Sequence, residues 1–133
     1  MSHSSTSTAL VRRLLITDAV VSGATGALMA IAAPVLESWL GLPAPLLRYA
    51  GLALLPFAAV VGWLAMQNPP APAGVRAIIA ANFAWVAASI LLLVAGGVNP
   101  TTLGMAFVIF QAIVVAILGE LQYVSLRKSS AAA

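Results

Sequence analysis

The sequence predicts an all-α polytopic membrane protein: a bundle of four transmembrane helices joined by short loops. Three observations carry that expectation. The 133 residues are 62% hydrophobic and only 7% charged, with a mean hydropathy of +1.09, whereas soluble domains carry roughly 25% charged residues. The apolar residues gather into four stretches, each near the ~20 residues that a hydrocarbon core requires. The basic residues flank those stretches, which is the membrane pattern. A transmembrane β-barrel would instead show short alternating segments, and none is present.

Each element follows in order. Residues 1–9, opening on "MSHSSTST", hold too little apolar surface to order and are expected to form a flexible polar tail. A transmembrane domain then covers residues 10–126, with helices at about 14–33, 46–66, 75–96 and 101–123. The first span, in "RRLLITDAVVSGATGALMAIAAP", carries Asp18 and a small-residue stripe of Ala19, Ser22, Gly26 and Ala30. Such a stripe lets another helix approach closely. A secretory or twin-arginine signal is the rival reading of this stretch. Its apolar core is long for that, and Asp18 interrupts it. "PVLESWLGLPAP" is read as a connection that ends with Pro45 in the first turn of the second span.

Pro56 falls near the centre of the second span, where it frees the Leu52 carbonyl and is expected to kink the helix. "QNPPAPAG" cannot continue a helix and reads as a stiff turn. "GGVNPTT" reads as a tight turn, with Asn99 as a cap and Pro100 at the first helical position. Residues 127–133 form a short basic tail.

Orientation follows from charge. Arg12, Arg13, Arg76, Arg127 and Lys128 fall on one side of a four-span chain, and only Arg48 on the other, balanced by Glu37. Both termini are therefore expected in the cytoplasm, and a multi-pass bacterial inner-membrane location is expected with them. Trp39 and Tyr49 then belong at the outer interface, Trp63 and Tyr123 near the inner one. The net charge of +3 and pI near 10.2 form no basic stripe, so no nucleic-acid partner is expected.

The candidate site is intramembrane and polar: Asp18, Ser22, Thr25, Asn82 and Glu120. An acid within a span is costly, about +3 kcal/mol at a helix centre and less towards the interface. Ser22 and Thr25 share the face of Asp18. Two readings stand. Asp18 is a proton- or cation-carrying group facing a cavity, or it is held by hydrogen bonds or by Arg76 and fixes helix register. Glu120 either shares a proton with Asp18 or reaches the headgroups beside Arg127 and Lys128. Gln111 lies about 180° around its helix from Glu120, so the two cannot face one cleft, and a second protomer would resolve the conflict. Trp85, Ser89 and Gln111 are candidate pocket-lining residues, or simply groups that bind helix to helix. An offset of 64 residues places Asp18 on Asn82 and Thr25 on Ser89, a faint trace of two parallel helical hairpins.

Several chemistries lack their residues. There is no Cys, and His3 is the only His. No metal centre, cofactor or catalytic residue is therefore expected. No Lys lies in a span for a Schiff base, and a serine nucleophile has no imidazole beside it. "GATGAL" lies within a helix and is neither a Walker nor a Rossmann loop.

The stretches "DAVVSGATGALM", "LLRYAGLALLPFA" and "GELQYVSLRK" resemble an uncharacterised family of small four-span bacterial inner-membrane proteins, over about Leu14 to Arg127. The resemblance implies architecture and bacterial origin, and no chemistry. Small multidrug exporters also place a carboxylate in their first of four spans, but the rest of their pattern is not matched.

Three functions are compatible with these residues. The first is a non-enzymatic accessory or scaffold subunit, partnered by the lipid bilayer and by itself or a larger membrane complex. The second is a small proton- or cation-coupled transporter or channel using Asp18. The third is a quinone- or pigment-binding module around Trp85 and Gln111.

Overall fold

The computed structural model describes residues 2–132, with side chains described over 6–129. Residues 1 and 133 of the two expected tails, and the side chain of His3, lie outside that range. Five helices follow one another: α1 (Ser2–Ile31), α2 (Ala33–Leu40), α3 (Ala44–Ala65), α4 (Pro72–Ala95) and α5 (Thr102–Ala132). Four of them (α1, α3, α4 and α5) are long and apolar enough to cross a membrane. The 22 residues of α3 rise roughly 33 Å, close to the thickness of a hydrocarbon core. The polytopic four-helix bundle is thus the fold.

Two elements depart from the sequence expectation. The polar stretches read as tails are helical, so α1 starts at Ser2 and α5 runs to Ala132. Their ends cover one another: Val11 and Leu126 share a buried cluster, and the hydroxyls of Thr8 and Ser129 lie 3.1 Å apart. Composition cannot register a neighbour that arrives from the other end of the chain. The second departure is α2, inside the stretch read as a plain connection. Pro34 stands in its first turn, where a missing N–H costs nothing. Its apolar face buries Ala33, Leu36 and Leu40.

Gly41 ends α2 in the left-handed region at φ 69°, its N–H bonded to the Glu37 carbonyl. The Glu37 carboxylate accepts the N–H of Ala44 at the start of α3, favourable at a helix N-terminus. Pro45 and Pro72 both occupy first helical turns. At the start of α5 the cap is Thr101 rather than Asn99. Its hydroxyl accepts the Gly104 N–H at 3.1 Å and donates to the Trp39 carbonyl at 2.7 Å. The Thr101 N–H bonds the Leu40 carbonyl at 2.9 Å. One residue thus starts α5 and closes the end of α2.

Helix α1 is the centre of the bundle, flanked by α3 on one side and α5 on the other, with α4 packed on α5. The small-residue stripe faces α3. A Cβ on Gly51 would lie 2.6 Å from both the Ala30 nitrogen and the Gly26 oxygen, so the two backbones meet at van der Waals distance. Further along, Gly23 faces Ala58 and Gly62 faces Ala19.

Helices α3 and α4 barely touch. At the end carrying Arg12 and Arg76 they meet, and Leu64, Val75 and Ile78 share a buried cluster with Leu15 and Leu126. Beyond that they part and leave a cleft. Pro56 lies within α3, which runs unbroken from Ala44 to Ala65 around it.

Candidate functional site

Asp18 is 1% exposed, and its burial is matched by hydrogen bonds from three helices. Ser22, one turn later on α1, donates to Oδ1 at 3.0 Å. The other oxygen, Oδ2, accepts the Asn82 amide of α4 at 2.8 Å and the Gln122 amide of α5 at 2.9 Å. Asn82 donates its second amide hydrogen to Gln122 Oε1 at 3.0 Å. The result is a closed triangle of Asp18, Asn82 and Gln122, all buried. Removing polar groups from water is costly unless each finds a partner, and here no fully enclosed side-chain nitrogen or oxygen among the described residues is left without one. Among the described residues no cation takes part: Arg76 is exposed at the end of the bundle, and the partners of Asp18 are hydroxyl and amide groups.

Arg12, on the same helix, serves α3 instead. Its guanidinium donates to the Ala65 carbonyl at 3.0 Å and to the Gln67 carbonyl at 3.0 Å. The last carbonyls of a helix have no intrahelical donor, and a cation there also suits the helix dipole.

A second network lies farther from the basic end, between α4 and α5. Trp85 donates its indole N–H to Gln111 Oε1 at 2.7 Å. The Gln111 amide donates to Ser89 Oγ at 3.0 Å and to the Val108 carbonyl at 2.8 Å. Ser89 in turn donates to the Trp85 carbonyl at 2.8 Å. Gln111 therefore points into the bundle. Glu120, on the opposite side of α5, is exposed among Ile113, Ile117, Leu121 and Val124, which are exposed with it.

Between the two networks is the cleft. A cavity of about 420 Å³ is lined by Ser22 and Thr25 of α1, Leu54 and Phe57 of α3, Asn82 and Trp85 of α4, and Phe107 and Gln111 of α5. A smaller space of about 220 Å³ adjoins it through Thr25, Trp85, Phe107 and Gln111. Both have apolar walls with a few polar groups, the character of a small-molecule site.

The structure thus brings together Asp18, Ser22 and Asn82, and separately Trp85, Ser89 and Gln111, with Thr25 on the cleft wall. It leaves Glu120 outside. Asp18 and Asn82, which the 64-residue offset superposes, are bonded across that separation, and Thr25 and Ser89 line one cavity. Gln122 was not among the sequence candidates. A signal for it existed: it follows Gln111 by three turns, about 20° around the helix, so both share the inward face.

Comparison with protein-family models, with curated proteins and with solved structures finds no match for this chain. The class defined by fold and site is a multi-pass membrane bundle with a polar knot and a laterally placed apolar cleft.

Proposed function

We propose that this chain is a non-enzymatic component of a bacterial inner membrane, with both termini in the cytoplasm, that works by self-association. The observation that carries the reading is Glu120. Gln122 bonds Asp18, so Glu120 stands two residues, about 3 Å, farther from the basic end than the buried knot. It lies roughly 10 Å from the level of Arg127. Side chains on a helix lean towards its N-terminus. On α5 that direction leads away from the cytoplasmic headgroups, so Glu120 is poorly placed to reach them. A carboxylate presented to acyl chains at that depth needs a donor from a neighbour.

A second copy can supply one. Trp63, 66% exposed, sits next to Gly62, which faces Ala19, so its backbone is level with Asp18 and close to the depth of Glu120. The indole N–H makes no hydrogen bond among the described residues. A symmetric pair would satisfy Glu120 and Trp63 of each copy with the other's. The placement of Arg12, Arg13, Arg76, Arg127 and Lys128 at one end supports the cytoplasmic assignment.

A transporter reading needs Asp18 to release its partners. Its two oxygens are taken by three uncharged donors, which favours the structural role.

Native mass spectrometry from gentle detergent tests the proposal. The intact chain is expected as a dimer or higher oligomer. Glu120→Leu and Trp63→Phe are each expected to shift it to monomer while leaving the melting of the bundle unchanged. A monomeric wild type, or an oligomer indifferent to both changes, would overturn it. Proton flux in proteoliposomes that Asp18→Asn abolished without loss of assembly would favour the transporter instead.

A further inference from the structure

Asn82 carries an atom that the polar knot does not use. Its amide nitrogen donates to Asp18 and to Gln122, while its carbonyl oxygen, Oδ1, accepts nothing among the described residues. Asn82 is only 3% exposed, yet every fully enclosed side-chain nitrogen and oxygen among the described residues has a partner. Oδ1 therefore retains access to open space. The space Asn82 lines is the cleft cavity of about 420 Å³.

Thr25 adds a second open group. Its hydroxyl has no hydrogen bond among the described residues, although the helical Thr17 and Ser89 both bond the carbonyl four residues back. Thr25 lines both cavities of the cleft. Gln111 Oε1, which accepts only the Trp85 indole, keeps a free lone pair on the same wall. Apart from Ser22, whose hydroxyl donates to Asp18, the remaining lining is apolar and aromatic, with Phe57, Phe107 and Phe110 among it.

The polar valence left over is thus mainly acceptor. At the basic end Leu64, Val75 and Ile78 pack into one buried cluster between the cleft and the headgroups. The parted helices α3 and α4 leave the way in from the side, where a bilayer would lie.

We infer that the cleft between α3 and α4 binds a membrane-resident molecule with an apolar body and a hydroxyl group. The hydroxyl donates to Asn82 Oδ1 and pairs with Thr25, and the body lies against Trp85 and the phenylalanines. A buried acceptor discriminates in favour of a ligand that can donate, because a ligand that cannot leaves it unpaired. An ether or ketone of the same shape would meet Thr25 alone. This site is independent of the Glu120 face, so either proposal can fail without the other.

The test uses the full chain in lipid nanodiscs, with a diazirine analogue of farnesol as photoprobe, farnesol as competitor and farnesyl methyl ether as the donor-less control. Labelling is expected on cleft residues such as Phe57 and Phe107. Farnesol should compete about tenfold better than its ether, the weight of one hydrogen bond. Thr25→Val should weaken competition by farnesol severalfold. Ala53→Phe, which fills the cleft from α3 without touching the knot, should abolish labelling there while preserving the melting temperature. Labelling spread over the outward Ile113 and Ile117, equal competition by alcohol and ether, or indifference to both variants would overturn the inference.

Discussion

Gln122 and Asp18 are separated by 104 residues in sequence, yet the Gln122 amide donates to the Asp18 carboxylate at 2.9 Å. That bond joins the last helix to the first, and through Asn82 it reaches α4 as well. The acid that interrupts the first span is therefore the point at which three spans are registered against one another.

Gln122→Leu tests the weight of that registration. It removes a donor to Asp18 and the acceptor of Asn82, and it leaves both residues buried. A loss of about 1–2 kcal/mol in bundle stability is expected, read from unfolding by SDS in mixed micelles. Adding Asn82→Leu should cost less than the sum of the two single changes, because both act on one network.

The crossing of α1 and α3 depends on the absence of side chains. Gly51→Val should destabilise the protein by about 1–3 kcal/mol, since its Cβ would meet backbone atoms of Ala30 and Gly26. Gly62→Ala is the control: its Cβ would stand 3.8 Å from Ala19, an ordinary contact, and thermal unfolding in detergent should be nearly unchanged.

Arg12→Ala should loosen the end of α3. The Ala65 and Gln67 carbonyls lose their donor, and amide hydrogen exchange over residues 62–67 should speed up locally while the core of α1 stays protected. Arg12→Lys should recover only part of the protection, because an ammonium cannot span two carbonyls with a rigid fork.

Thr101→Val removes the cap of α5 and the bond to Trp39. A cost of about 1 kcal/mol is expected in the same SDS titration. Thr101→Ser should restore most of it, since the hydroxyl is what both bonds require.

Much of the fold could be read in the sequence because the bilayer imposes a simple rule. A span must be long, apolar and internally hydrogen-bonded, so hydropathy alone located the four helices to within a few residues at most of their ends. The small residues of α1 marked its close face for the same reason: only they permit backbone contact. Two features escaped because their cause is distant in sequence. Thr8 orders against Ser129, and α2 folds because Leu36 and Leu40 find cover inside the bundle.

The site divides in the same way. Asp18, Ser22 and Asn82 stood out as polar groups in apolar runs, and helical spacing set Gln111 and Glu120 on opposite faces without deciding which of them turns inwards. Their pairing was not legible. Helical periodicity fixes which residues share a face of one helix, but not which faces meet.

By itself, then, the sequence determined a membrane-spanning bundle of four helices with its polar residues on identifiable faces, since length, hydropathy and helical period are local properties. Only the tertiary structure decided that Asp18 is tied by Ser22, Asn82 and Gln122, that Glu120 faces outwards, and that α3 and α4 part to open a cleft. Those outcomes depend on how helices rotate and tilt against one another, and that is set by contacts between residues far apart in the chain.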